Sequence, residues 1–306
     1  MIPACHRLSL IFRLDLPANR AKLAIHMITA LEKPVNGTII LTITIPWAEV
    51  AETKESVITD LTKNLELPGF RKGKVPRDVA LKKLDQSKIY EDVIQKLLPK
   101  CYSDAVKEHN LHPIVFPKIE MVEAKEEKDW VIRAHTAEKP EVTLGDYKKA
   151  IREAKSTKQN KIWKPGEEEK KPEPMTIREL LDALLSSVTC QIPDILIETE
   201  VNRSLSDLID QTKKLGLSVD QYLSSTGKTA EGIRKEYGEN SRRTLTLEFA
   251  IEQVADKDSI FVSDSDIESA IKAAKTPEER ESLTKERYYL ASILRRQKTL
   301  DFLTAL

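Results

Sequence analysis

The sequence predicts an α+β domain followed by an all-α domain, and three features carry that expectation. Apolar residues alternate with a period of two at places in the first half and recur at spacings of three and four throughout the second. An unpatterned stretch of Lys, Glu, Gln and Pro at 148–174 separates the two regimes. The composition agrees: 40% apolar, 32% charged and 5% aromatic residues, with nine glycines in 306 residues, favour a helix-rich soluble protein over a β-sandwich, a collagen or a disulfide scaffold. Lys plus Arg and Asp plus Glu both total 49, so an electrostatic partner must be met by a local patch and not by whole-chain charge.

Residues 1–26 carry Arg7, Arg13, Arg20 and Lys22 against Asp15 alone, and Arg13 and Asp15 break the only apolar run. They read as an extension from a start codon placed too early, with an organellar transit peptide as the alternative. At 38–45, Ile39, Leu41, Ile43 and Ile45 alternate with Thr38, Ile40, Thr42 and Thr44, the pattern of a half-buried strand. Pro46 then suits the start of a helix, whose stripe Trp47, Val50, Val57, Ile58, Leu61 and Leu65 runs to Pro68-Gly69. A second helix is expected over 88–108, kinked or divided by Pro99. Two extended runs, 114–122 and 130–136, read as a hairpin. Residues 27–147 thus form the α+β unit and 148–175 a charged linker. Beyond it, Ile177, Leu180, Leu181, Leu184, Leu185 and Val188 make one helical stripe, and Pro193 opens a long helix that Gly216 closes. Ser218 with Gln221 and Ser263 with Asp266 have capping-box spacing. Helices at 229–254 and 277–303 complete an all-α domain at 176–306.

The chain offers little chemistry. Cys5, Cys101 and Cys190 lie far apart with no C-x-x-C pair, which fits a reducing cytosol. No apolar run reaches the ~18 residues of a membrane span. His109-x-x-His112 has ligand-like residues but no third ligand at a fitting spacing, and reads as a surface pair. No G-x-S-x-G is present, and the carboxylates alternate with lysines as solvated helix faces do. No catalytic residue, cofactor, metal or membrane partner is expected.

One segment stands apart: Leu67-Pro-Gly-Phe-Arg-Lys-Gly-Lys-Val-Pro76. Three residues, not four, separate Gly69 from Gly73, and Val75 stands where a phosphate loop needs Ser or Thr. Over 71–83, Arg71, Lys72, Lys74, Arg77, Lys82 and Lys83 face only Asp78, a net charge of +5. Bounded by prolines, this reads as an ordered basic loop at a helix tip, with Phe70 placed where a core has no use for it.

Gly69-Phe70-Arg71-x-Gly73-Lys74-x-Pro76 resembles the signature of the trigger factor family, the ribosome-associated chaperones of bacteria. The resemblance continues through Thr143-Leu-Gly-Asp-Tyr147 and resumes at Ile192-Pro-Asp-Ile-Leu-Ile-Glu, at Gly216-Leu-Ser-Val-Asp-Gln-Tyr and at Ile260-Phe-Val-Ser-Asp. It implies a ribosome-binding domain over 27–147 and a helical chaperone domain of the trigger factor C-terminal, SurA-like type over 176–306. It also implies that Gly69, Phe70, Arg71, Lys72, Gly73, Lys74 and Pro76 dock on the large ribosomal subunit at the tunnel exit, on a ribosomal protein and ribosomal RNA. Nascent unfolded polypeptides would be the clients, held without ATP; the resemblance also admits a homodimer.

The sequence departs from the family in one respect. Members usually carry an FKBP-like prolyl isomerase domain after the ribosome-binding domain, and only 148–174 is left to hold it, fewer than the ~40 residues a marginal domain requires. The isomerase is expected to be missing and the chain to be no enzyme. Two rival readings are a prolyl isomerase, against which that segment length weighs, and an RNA-binding module built on the basic loop, which would need stacking aromatics beyond Phe70.

Overall fold

The computed structural model describes residues 27–34, 36–66, 68, 70, 75–159 and 175–306. In chain order the elements are β1 (Ile28–Glu32), β2 (Ile39–Ile45), α1 (Trp47–Asn64), α2 (Arg77–Lys83), α3 (Gln86–Glu108), β3 (Lys118–Glu123), β4 (Trp130–Thr136) and β5 (Val142–Leu144). They continue with α4 (Tyr147–Gln159), α5 (Ile177–Ser186), β6 (Val188–Cys190), α6 (Asp194–Lys214), α7 (Val219–Thr226), α8 (Ala230–Lys257), α9 (Asp264–Ala273), α10 (Pro277–Lys285) and α11 (Arg287–Ala305). Four strands form one sheet in the order β1-β2-β4-β3, and β5 pairs β6 antiparallel in a second. This is the mixed sheet and helix, then helices, that the sequence predicts.

By proximity the chain sorts into two compact units. Of the described residues, the first holds 27–28 and those within Thr44–Leu97 and Ala124–Trp130. In it α1 turns Val50, Val57 and Ile58 inward, and side-chain ties join its neighbours to it: Lys96 Nζ donates to Asp60 Oδ2 at 2.7 Å from α3, and Arg77 of α2 pairs with Glu55. Trp130 is buried, its ring 5.7 Å from that of Tyr90 and its indole N–H donating to the Lys125 carbonyl. The Trp47 backbone N–H donates to Asp129 at 2.9 Å, satisfying one orphan donor of the α1 N-terminus, which Pro46 leaves without a side-chain cap.

The second unit comprises Thr29–Ile43, Leu98–Glu123 and Val131–Leu306. One face of its sheet, with Leu31, Ile39, Leu41, Ile119 and Ala134, packs on Tyr102, Val106 and Leu111 at the end of α3. A second cluster gathers Ala137 and Val115 with Ile192, Ile195, Leu196 and Val201 of and before α6, and with Tyr237, Leu245 and Phe249 of α8. A third joins Tyr147 and Ile151 of α4, Leu180 and Leu184 of α5, Ala250, Ile251 and Val254 of α8, and Leu303 of α11. At 28 residues α8 is about 42 Å long, enough to serve both of the last two clusters. The end of α6 is legible in its chemistry: Gly216, at φ +71°, takes the left-handed conformation an L side chain resists. The Leu217 N–H then reaches back to the Thr212 carbonyl and the Gly216 N–H to that of Lys213.

Several local expectations change. The first part of 148–175, expected as linker, is the helix α4, with Tyr147 and Ile151 fully buried. Lys148, Lys149, Arg152 and Lys155 hide an apolar stripe whose value depends on a tertiary partner no local pattern reveals. Basic residues 77–83, read as loop, form α2, where Asp78 in the first turn and Lys82 and Lys83 in the last suit the helix dipole. Helix α3 runs through Pro99 undivided, since Val93, Leu97, Cys101 and Ala105 pack on both sides of the missing N–H. The run 277–303 is two helices, parted at Glu286. Val188 belongs to β6, and β1, β5 and β6 add strands not foreseen.

Candidate functional site

Of the basic tip, Phe70 and Pro76 are described; Gly69, Arg71, Lys72, Gly73 and Lys74 lie outside the described residues. The two apolar side chains of the segment part company. Val75 is 6% exposed and anchors the chain before α2, whereas Phe70 is 42% exposed. Pro76, extended at φ −58° and ψ 141°, is the N-cap of α2, and its carbonyl accepts the N–H groups of Val79 and Ala80. The side of α1 in this unit carries a polar cluster: Lys54 Nζ donates to Glu126 at 2.6 Å and to the Tyr90 hydroxyl at 3.1 Å, and stands 4.9 Å over the Tyr90 ring. Burial acts against its charge, but Glu126 and Tyr90 outweigh burial and hold the ammonium above its ordinary range. That cluster ties α1 to Tyr90 of α3 and to Glu126, and it offers no nucleophile.

Elsewhere the titratable groups are structural. His109 Nε2 lies 2.9 Å from Thr29 Oγ1, which donates to Glu108 Oε2, while the His112 backbone N–H donates to Glu138 Oε1 at 2.7 Å. Among the described residues no three His, Cys, Asp or Glu side chains gather as a metal site. Burial pushes the Cys190 thiol up, away from reactivity. Tyr147 donates to Asp258, which also takes Lys148 Nζ at 2.5 Å, tying the start of α4 to the end of α8. Burial raises the Tyr147 hydroxyl pKa, and the Asp258 contact raises it further.

The helical part has its own exposed apolar surface. Tyr288 is 95% exposed, and Tyr289, Ile293 and Phe261 are also exposed. Two ties bracket Phe261 against α11: Arg295 Nε donates to the Ile260 carbonyl at 2.9 Å and Arg287 pairs with Asp264 at 2.8 Å. Eight residues of helix, about 12 Å, separate the two arginines, so the segment from Ile260 to Asp264 runs along α11 from Arg295 toward Arg287. Sequence reasoning gave none of these residues a role, although Phe261 lies in the segment Ile260-Phe-Val-Ser-Asp that carries part of the resemblance.

Comparison with known proteins gives this arrangement a context. A family described as "Bacterial trigger factor protein (TF)" matches residues 27–162, and its C-terminus matches 164–305, leaving one residue between the two. The trigger factor of Streptococcus pneumoniae (strain Hungary19A-6) is 42% identical over 109 residues, 36% of this chain and 26% of that protein. That of Streptococcus suis (strain 05ZYH33) is 39% identical over 120 residues, 39% of this chain and 28% of that protein. The chain therefore spans about a quarter of the length of the curated relatives it matches. A solved structure titled "Promiscuous Substrate Recognition in Folding and Assembly Activities of the Trigger Factor Chaperone" shares the fold at a TM-score of 0.60 and 16% identity, over 90% of this chain and 99% of that one. With both halves matched in order, the chain belongs to the trigger factor family of chaperones.

Proposed function

We propose that this protein docks at the tunnel exit of the large ribosomal subunit through residues 69–76 and shields emerging polypeptides on its helical part without ATP. The observation that carries the reading is Phe70, left 42% exposed in the family's signature segment while its neighbour Val75 is buried. An exposed aromatic beside basic residues is the kind of anchor on which interfaces concentrate their energy, and lysines around it attract acidic side chains and RNA phosphates. The exposed aromatic surface at Phe261, Tyr288 and Tyr289 supplies weak apolar contacts for clients. On this reading the protein catalyses no prolyl isomerisation, because α4 leads within a short segment to α5 and the two family matches adjoin; its place is the cytoplasm, where ribosomes and a reducing environment for its cysteines are found.

Ribosome pelleting tests the docking. Replacing Phe70, Arg71 and Lys72 together by alanine weakens binding at least tenfold, about 1.4 kcal/mol, and leaves the fold intact. A folded triple variant that binds within about threefold of the parent removes the tip from the interface. In a proline-limited refolding assay the uncatalysed step takes tens of seconds, so acceleration in proportion to added protein would refute the non-enzymatic reading.

A further inference from the structure

The two edges of the four-stranded sheet are built differently. Along β3 the edge is blunted: Lys118, Glu120 and Glu123 put three charges into six residues, and the register with β4 shifts between Met121 and Glu123. Along β1, Ile-Thr-Ala-Leu-Glu, there is no proline and one charge, at the far end. Ala30 and Glu32 are exposed, while Thr29 is held from beneath by Glu108 and His109. Among the described residues β1 pairs with β2 alone, so one row of its N–H and C=O groups faces outward. Among the described residues nothing guards this edge.

We infer that the open edge of β1, at Thr29–Glu32, binds an extended, non-acidic segment of an unfolded client as an added antiparallel or parallel strand. The size of the edge selects this occupant. Five residues of strand span roughly 17 Å, and a paired strand of that length buries on the order of a few hundred Å², far below the ~1,200 Å² of a stable dimer. A second copy of the chain would not be held there. A transient client would, and backbone pairing reads the peptide group every client carries, so it suits a binder of unrelated sequences. The carboxylates of Glu32 and Glu108 disfavour acidic segments. The inference rests on the chaperone reading and adds a second client site with a different chemistry.

The test uses the full chain and a fluorescent heptapeptide of alternating Val and Thr. A second probe has the same side chains but is N-methylated at residues three and four, one on each edge. Anisotropy is expected to show the methylated probe binding at least tenfold more weakly. Amide hydrogen exchange is expected to slow at Thr29–Glu32 only with the unmodified probe. Equal binding of the two probes, or no protection at Thr29–Glu32, overturns the inference. Protection that grows with protein concentration in the absence of peptide assigns the edge to a second copy. Protection without peptide that disappears in a chain starting at Met27 assigns it to the preceding residues, and either result also overturns the inference. Suppression of client aggregation, measured in parallel, survives any of these failures and is lost only if the chaperone reading itself fails.

Discussion

Ile151 decides whether α4 is structure or connection. Its side chain is fully buried among Leu180 and Leu184 of α5, Val254 of α8 and Leu303 of α11. Truncating such an isoleucine to alanine removes the transfer energy of three carbons and leaves a cavity between four helices, which costs about 2–5 kcal/mol. Alanine is the better helix former, which offsets about 0.5 kcal/mol, so a loss near 3 kcal/mol is expected for Ile151→Ala. In urea unfolding followed by circular dichroism, with a slope of about 2 kcal/mol per molar, the midpoint of the helical part falls by roughly 1.5 M. Lys149→Ala and Arg152→Ala, on the solvent side of the same helix, leave the midpoint in place. A shift below about 0.3 M for Ile151→Ala would mean that α4 contributes nothing to the core, and that 148–175 is a linker throughout.

Three further outcomes are expected. Burial acts against ionisation of Asp258, but Lys148 and Tyr147 outweigh it and hold its carboxyl below the ordinary value of 3.8. A depressed carboxyl stabilises the fold above its unfolded pKa and loses that contribution as pH falls through the folded one, so an acid titration should unfold Asp258→Asn less steeply below about pH 4 than the parent. Gly145→Ala would put a Cβ 2.6 Å from the Ser187 carbonyl oxygen, the atom that accepts the Gly145 N–H at 2.9 Å. Prying β5 from β6 costs about 1–3 kcal/mol, read as a lower urea midpoint; an unchanged midpoint would mean that the two strands part freely. Ser218→Ala removes half of the capping box with Gln221, worth about 1 kcal/mol, and speeds amide exchange in α7 without altering α11; uniform exchange across both would contradict a local role.

What the sequence disclosed tracks how local each interaction is. The capping boxes at Ser218 and Ser263 were legible because hydroxyl and partner sit three residues apart and need nothing else. Thr176 and Glu179 make a third of the same kind, obscured only by the charged stretch before it. Strand β2 was legible because alternation over seven residues states its buried face outright. In contrast β5 and β6 have three residues each, too few for a period, and exist because Gly145 lets the chain pass against Ser187. The exposure of Phe70 was legible from the glycines and bases around it, whereas that of Tyr288 depends on where α9, α10 and α11 lie, information spread over about 40 residues.

Charge separates the two proposed surfaces. The sequence count of +5 over 71–83 treats every base as available, yet Arg77 is engaged by Glu55, while Lys82 and Lys83 have no acidic partner among the described residues. Uncompensated lysines at the end of α2 act on a partner at a distance of up to a Debye length, about 8 Å at physiological salt, and are screened beyond it. Around the aromatic surface of the helical part the bases are already satisfied, Arg287 by Asp264, Arg295 by Asp256 and Lys298 by Asp266. Client contacts proposed there would depend on apolar burial, which added salt does not weaken. On the proposed reading, a neutral chain can therefore combine a salt-sensitive contact with the ribosome and a salt-insensitive one with clients, because its charge is engaged in internal pairs where client binding is proposed and left open where docking is proposed.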